Sequence, residues 1–156
     1  MALFVDLRRL AALGLERGMG VFSPLRLGVR GLVVDSEEQV LLARHTYVAG
    51  WYLPGGGVEA GESAQAALAR ELSEEAGVEI LGPAHLHGLF FNPKASRRDY
   101  VACYVVRDFR VAPIEANFEI AEARFFPAGA LPDDASPATR ARLVEILKGA
   151  PASDIW

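Results

Sequence analysis

Apolar residues come in short clusters along this chain, separated by glycine, proline and acidic turns, and that rhythm predicts many short elements. Leu25 to Asp35 is rich in aliphatic residues and ends at the turn signal Asp35-Ser36-Glu37-Glu38, after which Val40 to Ala43 reads as the returning strand of a hairpin. Trp51-Tyr52-Leu53 is a short third strand, halted by Pro54 and the run Gly55-Gly56-Gly57. Ser63 to Ala76 is dense in strong helix formers, and Gly77 stands where a helix C-cap belongs. His85 to Phe91 and Tyr100 to Val106 are strand candidates around the polar loop Asn92 to Asp99, and Ala123 to Phe126 is a last short strand. Pro137 to Lys148, preceded by Ser136 and closed by Gly149, reads as a terminal helix burying Leu143, Ile146 and Leu147. Strands precede, flank and follow the central helix, the pattern of an α/β (α+β) fold with a mixed sheet and helices on its faces.

The first 24 residues stand apart. Leu3, Leu7, Leu10 and Gly14 share one helical face, while Asp6, Arg8, Arg9, Glu16 and Arg17 break the apolar run too often for a bilayer span or a secretory signal. This is read as an amphipathic segment, residues 1–24, before a domain over 25–150 and a tail over 151–156. With 156 residues and 51% hydrophobic content there is material for one core and no room for a second domain. A net charge of -4 argues against broad capture of nucleic acid, so an anionic ligand would need locally supplied positive charge. Cys103 is the sole cysteine and lies in the apolar run Val101 to Val106, where a buried thiol is expected; a cytoplasmic protein is the reading that follows.

The chemistry is concentrated in one stretch. Gly56-Gly57-Val58-Glu59-Ala60-Gly61-Glu62 is followed by seven residues and then by Arg70-Glu71-Leu72-Ser73-Glu74-Glu75-Ala76-Gly77-Val78. On a helix, Glu71, Glu74 and Glu75 fall within a sector of roughly 100°, so three carboxylates stack on one face. Like charges at these spacings cost a few tenths of a kcal/mol per pair. A divalent cation offsets that cost, since Mg²⁺ takes hard oxygen ligands and bridges carboxylates to substrate phosphates. Arg70 neighbours Glu74 on the helix wheel and can orient a carboxylate. Glycine at 55–57 lets backbone turn sharply and approach a ligand, and Glu62 lies near the helix N-terminus, where negative charge is favoured.

The segment Gly56 to Val78 resembles the Nudix box, with all nine constrained positions filled, and the order of elements around it is similar to the Nudix fold. The resemblance implies an αβα sandwich that hydrolyses a nucleoside diphosphate linked to another moiety, using Mg²⁺ or Mn²⁺. It implies that Glu71, Glu74 and Glu75 bind metal with the Gly55 carbonyl, and that Arg70, Glu62 and Gly56 organise loop and helix. A further glutamate from a later loop is expected, with Glu119 in the corresponding place and Glu122 behind it; the general base is Glu119 or Glu71. Pro93, fifteen residues beyond Val78, is similar to a marker of ADP-ribose-cleaving members, so ADP-ribose or a nucleotide sugar leads. A nucleoside triphosphate, a dinucleoside polyphosphate, the 5′ end of RNA, or nucleotide binding without catalysis are the alternatives. Many relatives pair, so a homodimer is also open.

Outside the box the readings are plainer. Arg30 and Arg44, in otherwise apolar strand positions, either face a phosphate-binding cleft or act as edge charges. His45, His85 and His87 are read as structural, since hard-metal sites favour oxygen and no histidine lies in the box. Trp51 and Tyr52 are expected to pack the sheet, and Arg97 and Arg98 to sit in a solvated loop.

Overall fold

The structure, a computed structural model, describes residues 24–113 and 118–156; the amphipathic segment expected at the start of the chain lies almost wholly outside them. Among the described residues seven strands and two helices follow in order: β1 (Arg26–Val33), β2 (Gln39–His45), α1 (Ala64–Ala76), β3 (Val78–Ile80), β4 (His85–Phe91), β5 (Asp99–Val106), β6 (Phe109–Val111), β7 (Ile120–Pro127) and α2 (Pro137–Lys148). The main sheet has the order β1-β5-β4, with β1 and β5 parallel and β4 antiparallel to β5. Antiparallel pairs β2-β7 and β3-β6 complete the strand pairing.

Alternation along the strands divides the core into two. Val29 and Val33 of β1, with Ala102, Tyr104 and Val106 of β5, pack under Ala67, Leu68 and Leu72 of α1. Leu32 of β1 and Cys103 of β5 belong instead to the cluster with Phe90, Phe126 and Leu143 of α2. Strand side chains point alternately to opposite faces, so each helix covers one face and the result is an αβα sandwich. Gly31 marks the tightest approach of helix to sheet: a Cβ there would lie 3.0 Å from a methyl of Leu72. Cys103 is fully buried, and burial pushes its thiol up to about 12, which makes it inert packing.

Three features differ from the sequence expectation. Asp35 caps the turn after β1 by accepting N–H bonds from Glu37 and Gln39, but the hairpin extends no further than the Val34–Val40 bridge. Beyond it β1 goes to β5 and β2 goes to β7. The glycine stretch, expected to halt a strand, instead runs along the free edge of β1: Val29 N–H reaches Gly56 O at 2.8 Å, Gly31 N–H reaches Pro54 O at 2.9 Å and Val58 N–H reaches Leu27 O at 2.9 Å. Residues 154–156, expected as a tail, extend the opposite edge, with Phe91 N–H on Asp154 O at 2.8 Å and Trp156 N–H on Phe91 O at 2.9 Å.

Candidate active site

The site is built where the edge of β1 meets the flank of α1. Ser63 starts the helix by accepting the Ala66 N–H at 3.1 Å, and Gly77 ends it in the left-handed region at φ 62°. Burying Leu68 and Leu72, each worth about 1.5–3 kcal/mol, fixes the rotation of the helix. That rotation leaves Arg70, Glu71, Glu74 and Glu75 on the flank facing the glycine stretch.

Arg70 is the hub of this flank. Its Nε and Nη2 donate to the two oxygens of Glu62, both at 3.0 Å, its Nη1 to Glu71 at 2.7 Å, and Nη2 also to the Gly57 carbonyl at 3.1 Å. Glu74, largely exposed, lies 3.5 Å from Nη1. The guanidinium thereby ties the loop before the helix to the acids on it, and its hydrogen bond holds the Glu62 carboxyl below the ordinary range. Gly56 is required beside it, since a Cβ would lie 2.4 Å from a Glu71 oxygen.

Glu75 is treated differently. Its carboxylate is buried and accepts the Gly55 N–H at 2.8 Å. Desolvation pushes its carboxyl up to about 7, against the opposing pull of that hydrogen bond and of Arg30. Gly55 itself has φ 139°, and a Cβ there would stand 2.2 Å from the Val29 carbonyl, so only glycine fits. The Gly55 carbonyl accepts from Nη1 of Arg30, which also reaches Leu53 O at 3.2 Å.

Two cavities flank this construction. One, of about 990 Å³, is lined by Glu71, Glu74 and Glu75 of α1 together with Phe118 and Glu119. Thr46 ties that second wall to the end of β2, its N–H on Glu119 O and its hydroxyl on Phe118 O, each at 2.8 Å. The other, of about 920 Å³, is lined by Arg30, Tyr52, Asn92, Lys94 and Trp156 among others. The predicted acids therefore share one cavity while Arg30 borders the other. Arg44 lines neither: it pairs with Glu122 across β2 and β7 at 3.1 Å and its guanidinium lies 5.3 Å from the centre of the Trp51 ring.

A family model described as the NUDIX domain matches residues 24–146. The chain belongs to the NUDIX domain family. Among curated proteins it is similar to an RNA pyrophosphohydrolase of Ruthia magnifica subsp. Calyptogena magnifica, 39% identical over 75 residues that make up 48% of this chain and 40% of that protein. Among solved structures it is similar to a MutT NUDIX hydrolase of Burkholderia pseudomallei, with a TM-score of 0.67 at 24% identity over 78% of this chain and 97% of that one. It is also similar to an ADP-ribose pyrophosphatase of Streptococcus suis, with a TM-score of 0.61 at 19% identity over 83% and 97%. The chain spans about two fifths of the length of the curated relatives it matches. The structural likenesses show the NUDIX αβα fold.

NUDIX hydrolases generally use divalent metal ions, and the oxygens of Glu71, Glu74, Glu75 and Glu119 are the hard donors such an ion takes. Among the described residues, no three acidic, histidine or cysteine side chains already converge as a metal shell. The geometry says why: Glu71 is turned toward Arg70 and Glu75 toward the Gly55 amide. The donor set fits a hard cation, and the Glu75 carboxyl, whose charged form burial disfavours, is one whose ionisation a cation beside it would favour.

His45, which the sequence reading left as structural, stands at this site. Its ring is buried where the β2–β7 register shifts between Arg44 and His45, Nε2 lies 3.9 Å from Glu75, and Nδ1 has no hydrogen-bond partner among the described residues. Burial and Arg30 hold its pKa below the usual histidine range, with Glu119 pulling the other way. No sequence signal marks the register shift. His87 has a structural role, hydrogen-bonded to Glu145 at 2.8 Å, and Trp51 packs edge-on against Phe126. No helix among the described residues is long and apolar enough to cross a membrane.

Proposed function

We propose that this chain hydrolyses a phosphoanhydride bond in a nucleoside diphosphate linked to another moiety, with ADP-ribose or a nucleotide sugar as the leading substrate class and Mg²⁺ as the ion. The observation that carries the reading is the glycine stretch pinned to the edge of β1, which presents the Gly55 amide to Glu75 while Glu71, Glu74 and Glu119 line the same cavity. In this reading Glu71, Glu74 and Glu75 hold the cation, joined by the Gly55 carbonyl once Arg30 is drawn off it. A divalent cation there supplies neutralisation of phosphate charge and polarisation of the phosphorus under attack.

The chain's own residues do the rest. Arg70 keeps Glu71 and the loop in register and Gly55 holds Glu75, so cation binding has to draw these oxygens from their present partners while the backbone that carries them is already in place. We assign the proton of the attacking water to Glu119, because it reaches the cavity of the helix acids from another wall, just before β7. Water oxygen bonds to phosphorus, the bond from phosphorus to the bridging oxygen breaks, and a nucleoside monophosphate and a sugar phosphate leave. Arg30, released from Gly55, is a phosphate contact at the border of the second cavity, which gives the remainder of the substrate room.

The similarity to an RNA pyrophosphohydrolase raises a second reading, action on the 5′ end of RNA. The net charge of -4 disfavours it, because RNA capture relies on clustered positive charge. A substrate panel with Mg²⁺ and with Mn²⁺ decides: ADP-ribose, nucleotide sugars, nucleoside triphosphates, dinucleoside polyphosphates and 5′-triphosphorylated RNA, beside Glu75→Gln. Turnover of a diphosphate-linked nucleoside that Glu75→Gln reduces by a hundredfold or more is expected. Turnover unaffected by Glu75→Gln would overturn the mechanism, and nucleotide binding without turnover of any substrate would make the chain a sensor.

A further inference from the structure

Burying a guanidinium is costly unless its charge is compensated, yet α2 buries Arg142 almost completely, with its Nε left without a hydrogen-bond partner among the described residues. Its Nη2 pairs with Glu145 at 2.6 Å and its Nη1 donates to the Ile155 carbonyl at 3.2 Å. Glu145 in turn accepts the Ser153 N–H at 3.1 Å and meets His87 at 2.8 Å. The bonds to the Ile155 carbonyl and from the Ser153 N–H hold residues 153–156 against the edge of β4, and the pairs with His87 and within α2 fix Glu145 and Arg142 in place. What they deliver is Trp156, whose indole packs edge-on to Phe90 at 5.7 Å between ring centres, has the Arg142 guanidinium 5.5 Å from its ring centre, and forms part of the wall of the 920 Å³ cavity.

That cavity suits a nucleotide. Arg30 and Lys94 bring positive charge to it, Asp133 and Asp134 bring acceptors, and Arg30 reaches from it to the glycine stretch of the acidic site. A strand edge alone would be satisfied by any residue with a backbone N–H. An indole adds a π face, on which a planar base stacks without regard to its hydrogen-bonding edge. We propose that Trp156 stacks on the base of the substrate, so that the segment 153–156, mounted by Arg142 and Glu145, selects for a base-bearing ligand without choosing among bases. The proposal rests on the hydrolase reading only for the direction in which the phosphates point.

The chain has two tryptophans, and since Trp51 is only 4% exposed and does not line the cavity, a ligand bound there quenches through Trp156. The full chain is titrated with AMP, GMP and UMP and, as base-free probe, with ribose 5-phosphate. Saturable quenching by the nucleotides is expected, lost in Trp156→Phe while affinity measured by calorimetry stays within about threefold. Trp156→Ala is expected to weaken nucleotide binding on the order of tenfold and leave ribose 5-phosphate unchanged. Trp156→Leu keeps apolar bulk without the π face and serves if the alanine variant unfolds; the same selective loss is expected. Equal weakening for both probes, no change for either, or no saturable nucleotide binding would overturn the proposal. Loss of hydrolysis with the quench intact would sink the hydrolase reading alone, and hydrolysis with an unselective Trp156→Ala would sink this one alone.

Discussion

Gly55, Gly56 and Gly57 follow one another in the chain and face three different environments, so alanine at each asks a different question. At Gly55 the backbone is at φ 139° and a Cβ would be driven into the Val29 carbonyl. Gly55→Ala is expected to destabilise the fold by about 1–3 kcal/mol or more, seen as a drop in Tm. At Gly56 the obstacle is the flexible end of Glu71, so Gly56→Ala should fold with a nearly unchanged Tm and lose most of its kcat. At Gly57 no atom stands within 4 Å and substitution should be within about 0.5 kcal/mol of neutral. Equal effects at all three would mean the stretch is a plain turn. Arg70→Lys tests the hub, because an ammonium cannot serve Glu62, Glu71 and the Gly57 carbonyl at once. A fall in kcat/KM of about tenfold to a hundredfold, with little change in Tm, is expected in steady-state assays. The acids and glycines of this site were legible because a helix converts sequence spacing directly into a shared face. Arg30 on Gly55 and His45 beside Glu75 were not, since both depend on which strands and loops come to lie side by side.

Elements whose ends are set by local chemistry were the most readable. Both helices begin at a serine that caps its own first turn and end at a glycine in the left-handed region, Gly77 at φ 62° and Gly149 at φ 66°. Ser63→Ala, removing one such cap, is expected to cost about 1 kcal/mol in urea denaturation while leaving KM near its wild-type value, because no acid of the site touches that side chain. A loss of activity out of proportion to the loss of stability would mean the cap also sets the loop geometry. Strand pairing is a non-local matter, and there the sequence misled: β1 finds β5 far along the chain instead of its neighbour β2. The three-residue strands β3 and β6 are too short to carry an alternation and are recognisable only as a pair, Val78 with Val111 and Ile80 with Phe109.

Across the whole molecule, the two clusters under α1 and α2 follow the alternation already visible in β1 and β5, while one polar network cuts across the second of them. Apolar periodicity on α2 correctly buries Leu143 and leaves Ile146 and Leu147 partly buried, but it gives no reason to bury Arg142 and Glu145. That reason lies in residues 153–156 and in His87 on β4, partners distant in sequence. The network has a definite pH signature. Burial raises the Glu145 carboxyl, but hydrogen bonds from His87 and Ser153 together with Arg142 outweigh it and leave the group below its ordinary range. A carboxyl depressed on folding contributes stability in full above its unfolded pKa, about 4.3, and loses it as pH falls through the folded value. The groups facing it are His87 from β4, Arg142 on its own helix and the inert Cys103 of β5. Glu145→Gln should therefore cost on the order of 2 kcal/mol at pH 7, where donors are left without their charged acceptor. The gap between wild type and variant should hold down to about pH 5 and close progressively below about pH 4, in urea denaturation curves at each pH. A gap that stays constant between pH 7 and pH 3 would show that folding does not hold this carboxylate in its charged form, and the clamp on Trp156 would then owe nothing to its charge.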